Sequence, residues 1–109
     1  MNDASTQVSA EVALQRDGDC VRVAGPLTMI TVPAAAREGD TVVGSDVKRI
    51  DLSAVTDVDS AAVALLLEWA RRVGPSLRIE GASASLRNLA RLYSMDQLLP
   101  LAAASPPSS

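Results

Sequence analysis

Histidine and phenylalanine are absent from the 109 residues, and Trp69 and Tyr93 are the only aromatic side chains. Without histidine, the Ser-His-Asp and Cys-His nucleophile arrangements and the common zinc ligand sets are excluded. Two aromatics offer no stacking platform, and the scattered 10 Lys and Arg are outnumbered by 13 Asp and Glu, for a net charge of -3. Direct contact with nucleic acid is therefore not expected. The single cysteine, Cys20, has no disulfide partner and sits in an apolar-alternating run, so it reads as a buried strand thiol in a reducing compartment. No apolar stretch approaches the roughly 20 residues of a membrane span. The opening Met1-Asn-Asp-Ala-Ser carries an acid where a secretory signal carries a basic region. A cytoplasmic chain is the expectation. CxxC, GxGxxG and Walker-type phosphate loops are missing as well. An enzyme is not expected, and no cofactor or metal is implied.

At this length one domain is expected, burying about two-thirds of its unfolded surface, enough for a core without staples. Glu11 to Arg16 and Asp19 to Ala24 flank Asp17-Gly18, a type I′ hairpin signal. That turn pairs Arg16 with Asp19, Leu14 with Val21 and Val12 with Val23, which gathers four aliphatic side chains on one face. After Gly25-Pro26, a short helix starts at Thr28 or restarts at Pro33, and Gly39 ends it. Val47 to Ser53 reads as a strand, and a loop then leads to a helix at Ser60. With Asp59 as N-cap, Val58 and Val63 fall at the hydrophobic-staple spacing.

Within that helix Val63, Leu66, Leu67 and Ala70 form an apolar stripe, widened by Leu65 and Trp69, while Glu68 and Arg72 make an i,i+4 pair. Gly74-Pro75 stops the helix, and Leu77 and Ile79 supply a short strand. A last helix from Ser83 or Ser85 places Leu86, Leu89, Ala90 and Tyr93 on one face. The Pro-Pro-Ser-Ser ending predicts a disordered tail over 101–109, and 1–8 is expected to be flexible. Hairpin, helix, strand, helix, strand, helix implies an α/β sheet whose later strands pair in parallel through right-handed crossovers.

Asp57 and Asp59 read as solvated loop acids and a helix cap, since two carboxylates without further oxygen ligands make a poor cation site. Ser60 has two readings. It can cap the helix; alternatively, because one residue suffices for capping and Ala61 and Ala62 are small, it can be a hydroxyl that a partner or a kinase approaches. A phosphate there would be stabilised by the helix dipole and could repel an acidic partner.

The run Ile50-Asp-Leu-Ser-Ala-Val-Thr-Asp-Val-Asp-Ser-Ala-Ala-Val-Ala-Leu-Leu67 resembles the signature of STAS domains, and the element order agrees over residues 9–100. The resemblance implies a four- to five-stranded mixed sheet with an N-terminal hairpin and helices packed on it. It also carries the regulatory serine of anti-sigma-factor antagonists onto Ser60, although those proteins commonly have glycine where this chain has Ala62. The blocks Leu89, Leu92-Tyr93 and Leu98-Leu99-Pro100, with Ile50-Asp51-Leu52-Ser53 and Val63-Ala64-Leu65-Leu66, are similar to MlaB-like STAS subunits of the Mla phospholipid ABC transporter. That similarity implies a non-catalytic accessory subunit, peripheral to the inner membrane, which binds the ATPase subunit through Asp57, Val58, Asp59, Ser60, Ala61 and Ala62. The alternative it leaves open is an anti-sigma-factor antagonist that binds a kinase-type anti-sigma factor and is released when Ser60 is phosphorylated.

Overall fold

The computed structural model describes residues 11–102, which run β1 (Ala13–Asp17), β2 (Cys20–Leu27), α1 (Val32–Val42), β3 (Arg49–Val58), α2 (Ser60–Val73), β4 (Arg78–Glu80) and α3 (Ala84–Leu92). The flexible start expected over 1–8 lies outside these residues. Helices between the later strands force parallel pairing: the sheet has the order β1-β2-β3-β4, with β1 antiparallel to β2 and the other pairs parallel. This is the mixed α/β sheet expected, with four strands. Leu101 adds a single bridge to Ile79, whose carbonyl accepts the Ala102 N–H at 2.8 Å. These two residues, read from the sequence as tail, therefore hold to the sheet edge; the rest of that stretch is outside the described residues.

Alternation along the strands separates two faces. Val21, Val23, Ile50, Leu52 and Ile79 are buried beneath the helices, while Gln15, Arg22, Arg49, Ser53 and Arg78 are exposed. On the open face Arg22 stands in register with Asp51, and their side chains approach to 3.6 Å. Cys20 is partly exposed rather than buried. It directly precedes the buried Val21, so the pleat turns its side chain to the open face, where its strand partner is Arg49.

The hairpin differs from expectation by two residues in register. Asp17 pairs with Cys20, Arg16 with Val21 and Leu14 with Val23, so the turn is Gly18-Asp19. Gly18 has φ 62, whereas Asp17 stays extended within β1; a turn led by glycine needs no left-handed aspartate. A slip of two preserves which side chains face inward, and for that reason the hydrophobic pattern cannot detect it.

Gly39 does not end α1. It is a buried residue inside the helix, and a Cβ placed on it would lie 2.7 Å from Trp69 Cζ2 on α2. The α1 C-terminus is instead held by two guanidinium groups at the negative end of the helix dipole. Arg16 Nη1 donates to Val42 O at 2.8 Å; Arg72 Nη1 donates to Gly39 O at 3.0 Å, and its Nη2 to Asp40 at 3.0 Å. Arg72 thus ties α2 to α1, in place of the expected pair with Glu68.

Candidate docking site

β3 runs five residues further than the expected Ser53, to Val58, because its end stays paired with β2 up to Leu27–Val58. Asp57 and Val58 therefore close a strand rather than occupy a loop, and Asp59 alone joins β3 to α2. Asp59 has extended backbone, φ -140, and its Oδ1 accepts the Ala61 N–H at 2.8 Å, a helix N-cap as expected. Its Oδ2 accepts the Met29 N–H at 2.9 Å, from the loop between β2 and α1. Asp57 Oδ1 accepts the Val58 N–H at 3.0 Å. Among the described residues no group of three or more His, Cys, Asp or Glu side chains is placed to hold a metal ion.

Capping by Asp59 leaves the Ser60 hydroxyl unused. Ser60 is exposed and makes no side-chain hydrogen bond among the described residues. Ala61 is half-buried beside it. Ala62 is not at the surface at all: it is 0% exposed and packs in the core. The buried sector of α2 is Ala62, Val63, Leu65, Leu66, Trp69 and Val73, a helical stripe that carries Ala62 inward and leaves Ser60, Ala64, Glu68 and Arg71 outside. Ala62 must therefore be withdrawn from the expected contact residues, and Ala64 is the small side chain that another surface can approach.

Next to Ala64 a hollow of about 260 Å³ is lined by Ser60, Val63, Ala64, Leu67, Tyr93 and Met95. A second hollow of the same size shares Leu67 and is walled further along α2 by Ala70, Leu98 and Pro100. Tyr93, expected on the packed face of the last helix with Leu86 and Ala90, is 48% exposed while those two are buried. It is the C-cap of α3, beyond the helical turns that fix the inward face. Leu92 and Leu98 are exposed as well.

The sequence also gave no weight to Met29 and Ile30, which are 70% and 78% exposed. Their loop is tied to Asp59, so they flank the start of α2 on the side of β2. The available signal was Thr28 and Thr31, two hydroxyl residues bracketing two large apolar ones just before Pro33, a turn rather than a helix start. Apolar side chains in water around one unpaired hydroxyl suit contact with another protein surface.

The model of the family described as Mlab, STAS domain, matches residues 10–100. Among solved structures, an anti-sigma factor antagonist from Mycobacterium paratuberculosis is similar with a TM-score of 0.67, 23% identity and 85% of each chain covered. The anti-sigma factor antagonist SpoIIAA in its unphosphorylated form is similar with a TM-score of 0.63 and 16% identity, over 89% of this chain and 90% of its own. At such identities these likenesses show a shared fold. No curated protein matches the chain.

Proposed function

Because the chain belongs to the STAS domain family, we propose that it acts by docking: a non-catalytic subunit that binds and supports the ATPase subunit of a phospholipid ABC transporter. The observation that carries this reading is the apolar face around Ser60, formed by Met29 and Ile30 on one side and by Ala64, Leu67 and Tyr93 on the other. Fully burying a methionine or isoleucine side chain stabilises by about 1.5–3 kcal/mol, so a partner covering this face has a substantial driving force. In this reading Asp57, Val58, Asp59, Ser60 and Ala61 contribute to the contact, with Ala64 in the place first given to Ala62. The Mlab description of the matching family favours the transporter partner over others. Such a subunit works in the cytoplasm, held at the inner membrane through its ATPase; among the described residues no helix is long and apolar enough to cross a membrane itself.

A second reading is favoured by the two solved neighbours, both anti-sigma factor antagonists, together with the unengaged hydroxyl of Ser60. In it the same face binds a kinase-type anti-sigma factor, and a phosphate on Ser60 adds a dianion that releases the complex. Titration calorimetry of the purified chain against the phospholipid-transporter ATPase subunit and against an anti-sigma factor kinase from the same genome separates the two. Saturable binding to the ATPase subunit, with none to the kinase, supports the first reading; the opposite pattern overturns it in favour of the second.

A further inference from the structure

All four backbone N–H groups of the loop Thr28–Thr31 have acceptors within the protein. Thr28 N–H donates to Thr31 Oγ1 at 2.9 Å, Ile30 N–H to Thr28 Oγ1 at 3.3 Å and Thr31 N–H to Thr28 O at 3.0 Å. The hydroxyl of the buried Thr31 in turn donates to Pro26 O at 2.7 Å. A loop bonded in this way cannot turn Met29 and Ile30 inward without breaking those bonds, so both side chains stay in water. Three of the four acceptors belong to the loop. The fourth, for Met29, comes from Asp59, the residue before Ser60.

We propose that Asp59 is the positioning residue of the docking face, setting the Met29–Ile30 pair and the Ser60 hydroxyl in one register for the partner. Its two carboxylate oxygens divide the work: Oδ1 fixes the first turn of α2 through Ala61, and Oδ2 fixes the loop through Met29. Its own N–H donates to Leu27 O at 3.3 Å, which pins the same junction to the end of β2. Helix capping needs only one acceptor oxygen, and serine, threonine or asparagine would provide it. The two amides reach different oxygens of one short side chain, and a carboxylate presents both as acceptors, whereas a side-chain amide replaces one of them by an NH2 donor. This inference rests on the docking reading above.

Asp59→Asn separates the two tasks: asparagine remains a good N-cap with its oxygen on Ala61, and its NH2 group, a donor, then stands in place of the oxygen that faces the Met29 N–H. The first readout is backbone amide hydrogen exchange followed by NMR on the full chain, which needs no partner. Met29 N–H is expected to exchange about ten-fold or more faster in the variant while Ala61 N–H keeps its protection. Unchanged exchange at Met29, or equal loss at Met29 and Ala61, would overturn the proposal, because Asp59 would then not hold the loop separately from the helix. The second readout is a double-mutant cycle on affinity for the ATPase subunit. Asp59→Asn should weaken binding of the otherwise wild-type chain about ten-fold, yet change it by less than about two-fold in a Met29→Ser, Ile30→Ser background. Equal losses in both backgrounds would show that Asp59 does not act through the loop. If the ATPase subunit does not bind the wild-type chain, the docking reading fails, and the exchange data still decide whether Asp59 governs the loop.

Discussion

Replacing Gly39 by alanine sets two effects of opposite sign against each other. In a helix interior alanine is favoured over glycine by about 0.8–1 kcal/mol, and Gly39 has no left-handed φ to forbid it. The new methyl, however, would lie 2.7 Å from both Cζ2 and Nε1 of Trp69 and 2.9 Å from its Cε2. Carbon atoms in good contact stand about 3.5–4.0 Å apart, so the helices must separate by about 1 Å or the indole must leave its rotamer. Trp69 is fully buried, so moving it disturbs the core around it. Overpacking of this kind costs about 1–3 kcal/mol. Three simultaneous clashes with one rigid ring place it near the top of that range, for a net loss of about 2 kcal/mol. For a domain of this size the melting temperature should fall by roughly 8–16 °C in circular-dichroism melts. Repeating Gly39→Ala in a Trp69→Leu background removes the ring, leaving helix propensity as the main difference, and the substitution should then stabilise by up to about 1 kcal/mol. A rise in melting temperature on Gly39→Ala alone would refute the α1–α2 contact as described.

Ser94 has φ 59, and its following residue closes α3 by donating Met95 N–H to Ala90 O at 2.6 Å; Ser94→Gly should therefore raise stability by about 1 kcal/mol in urea titrations. The Asp51 carboxyl is held below its usual value, first by the Ser53 N–H and further by Arg22, against the opposing effect of burial. A depressed folded-state pKa gives stability that is present above the ordinary carboxylate value and lost as pH falls below it, so Asp51→Asn should flatten the decline below about pH 4 and leave a smaller difference from wild type there than at pH 7. Ala62→Arg places an unpaired charge in the core, and its thermal melt should show no cooperative transition.

Features built from neighbouring residues were legible in the sequence. Asp59 and Ser83 were readable as helix starts because a cap needs only its own first turn, and Gly74-Pro75 as a stop for the same reason. What failed depended on partners distant in the chain. Gly39 looks like a terminator until Trp69, thirty positions later, is seen to need the missing methyl. Asp57 argues against a strand by propensity, but pairing of β3 with β2 carries the strand through it. Ala62 and Ala64 are chemically identical, and the width of the buried stripe on α2 decides which one faces water. Met29 and Ile30 would be assigned to the core by composition alone, and only the bonds to Thr28, Thr31 and Asp59 explain why they stand outside it.

Whether the partner docks on the outer face of α2 is decided most directly by titrating the phospholipid-transporter ATPase subunit into the wild-type chain and into Ala64→Arg. Ala64 is exposed on the helix and lines the hollow beside Tyr93, and arginine is a good helix former, so the variant should melt within a few degrees of wild type. Its affinity should fall by about 100-fold or more, as expected for a bulky charge at the centre of an apolar contact. A folded Ala64→Arg protein that binds the ATPase subunit as tightly as wild type would contradict docking at this face.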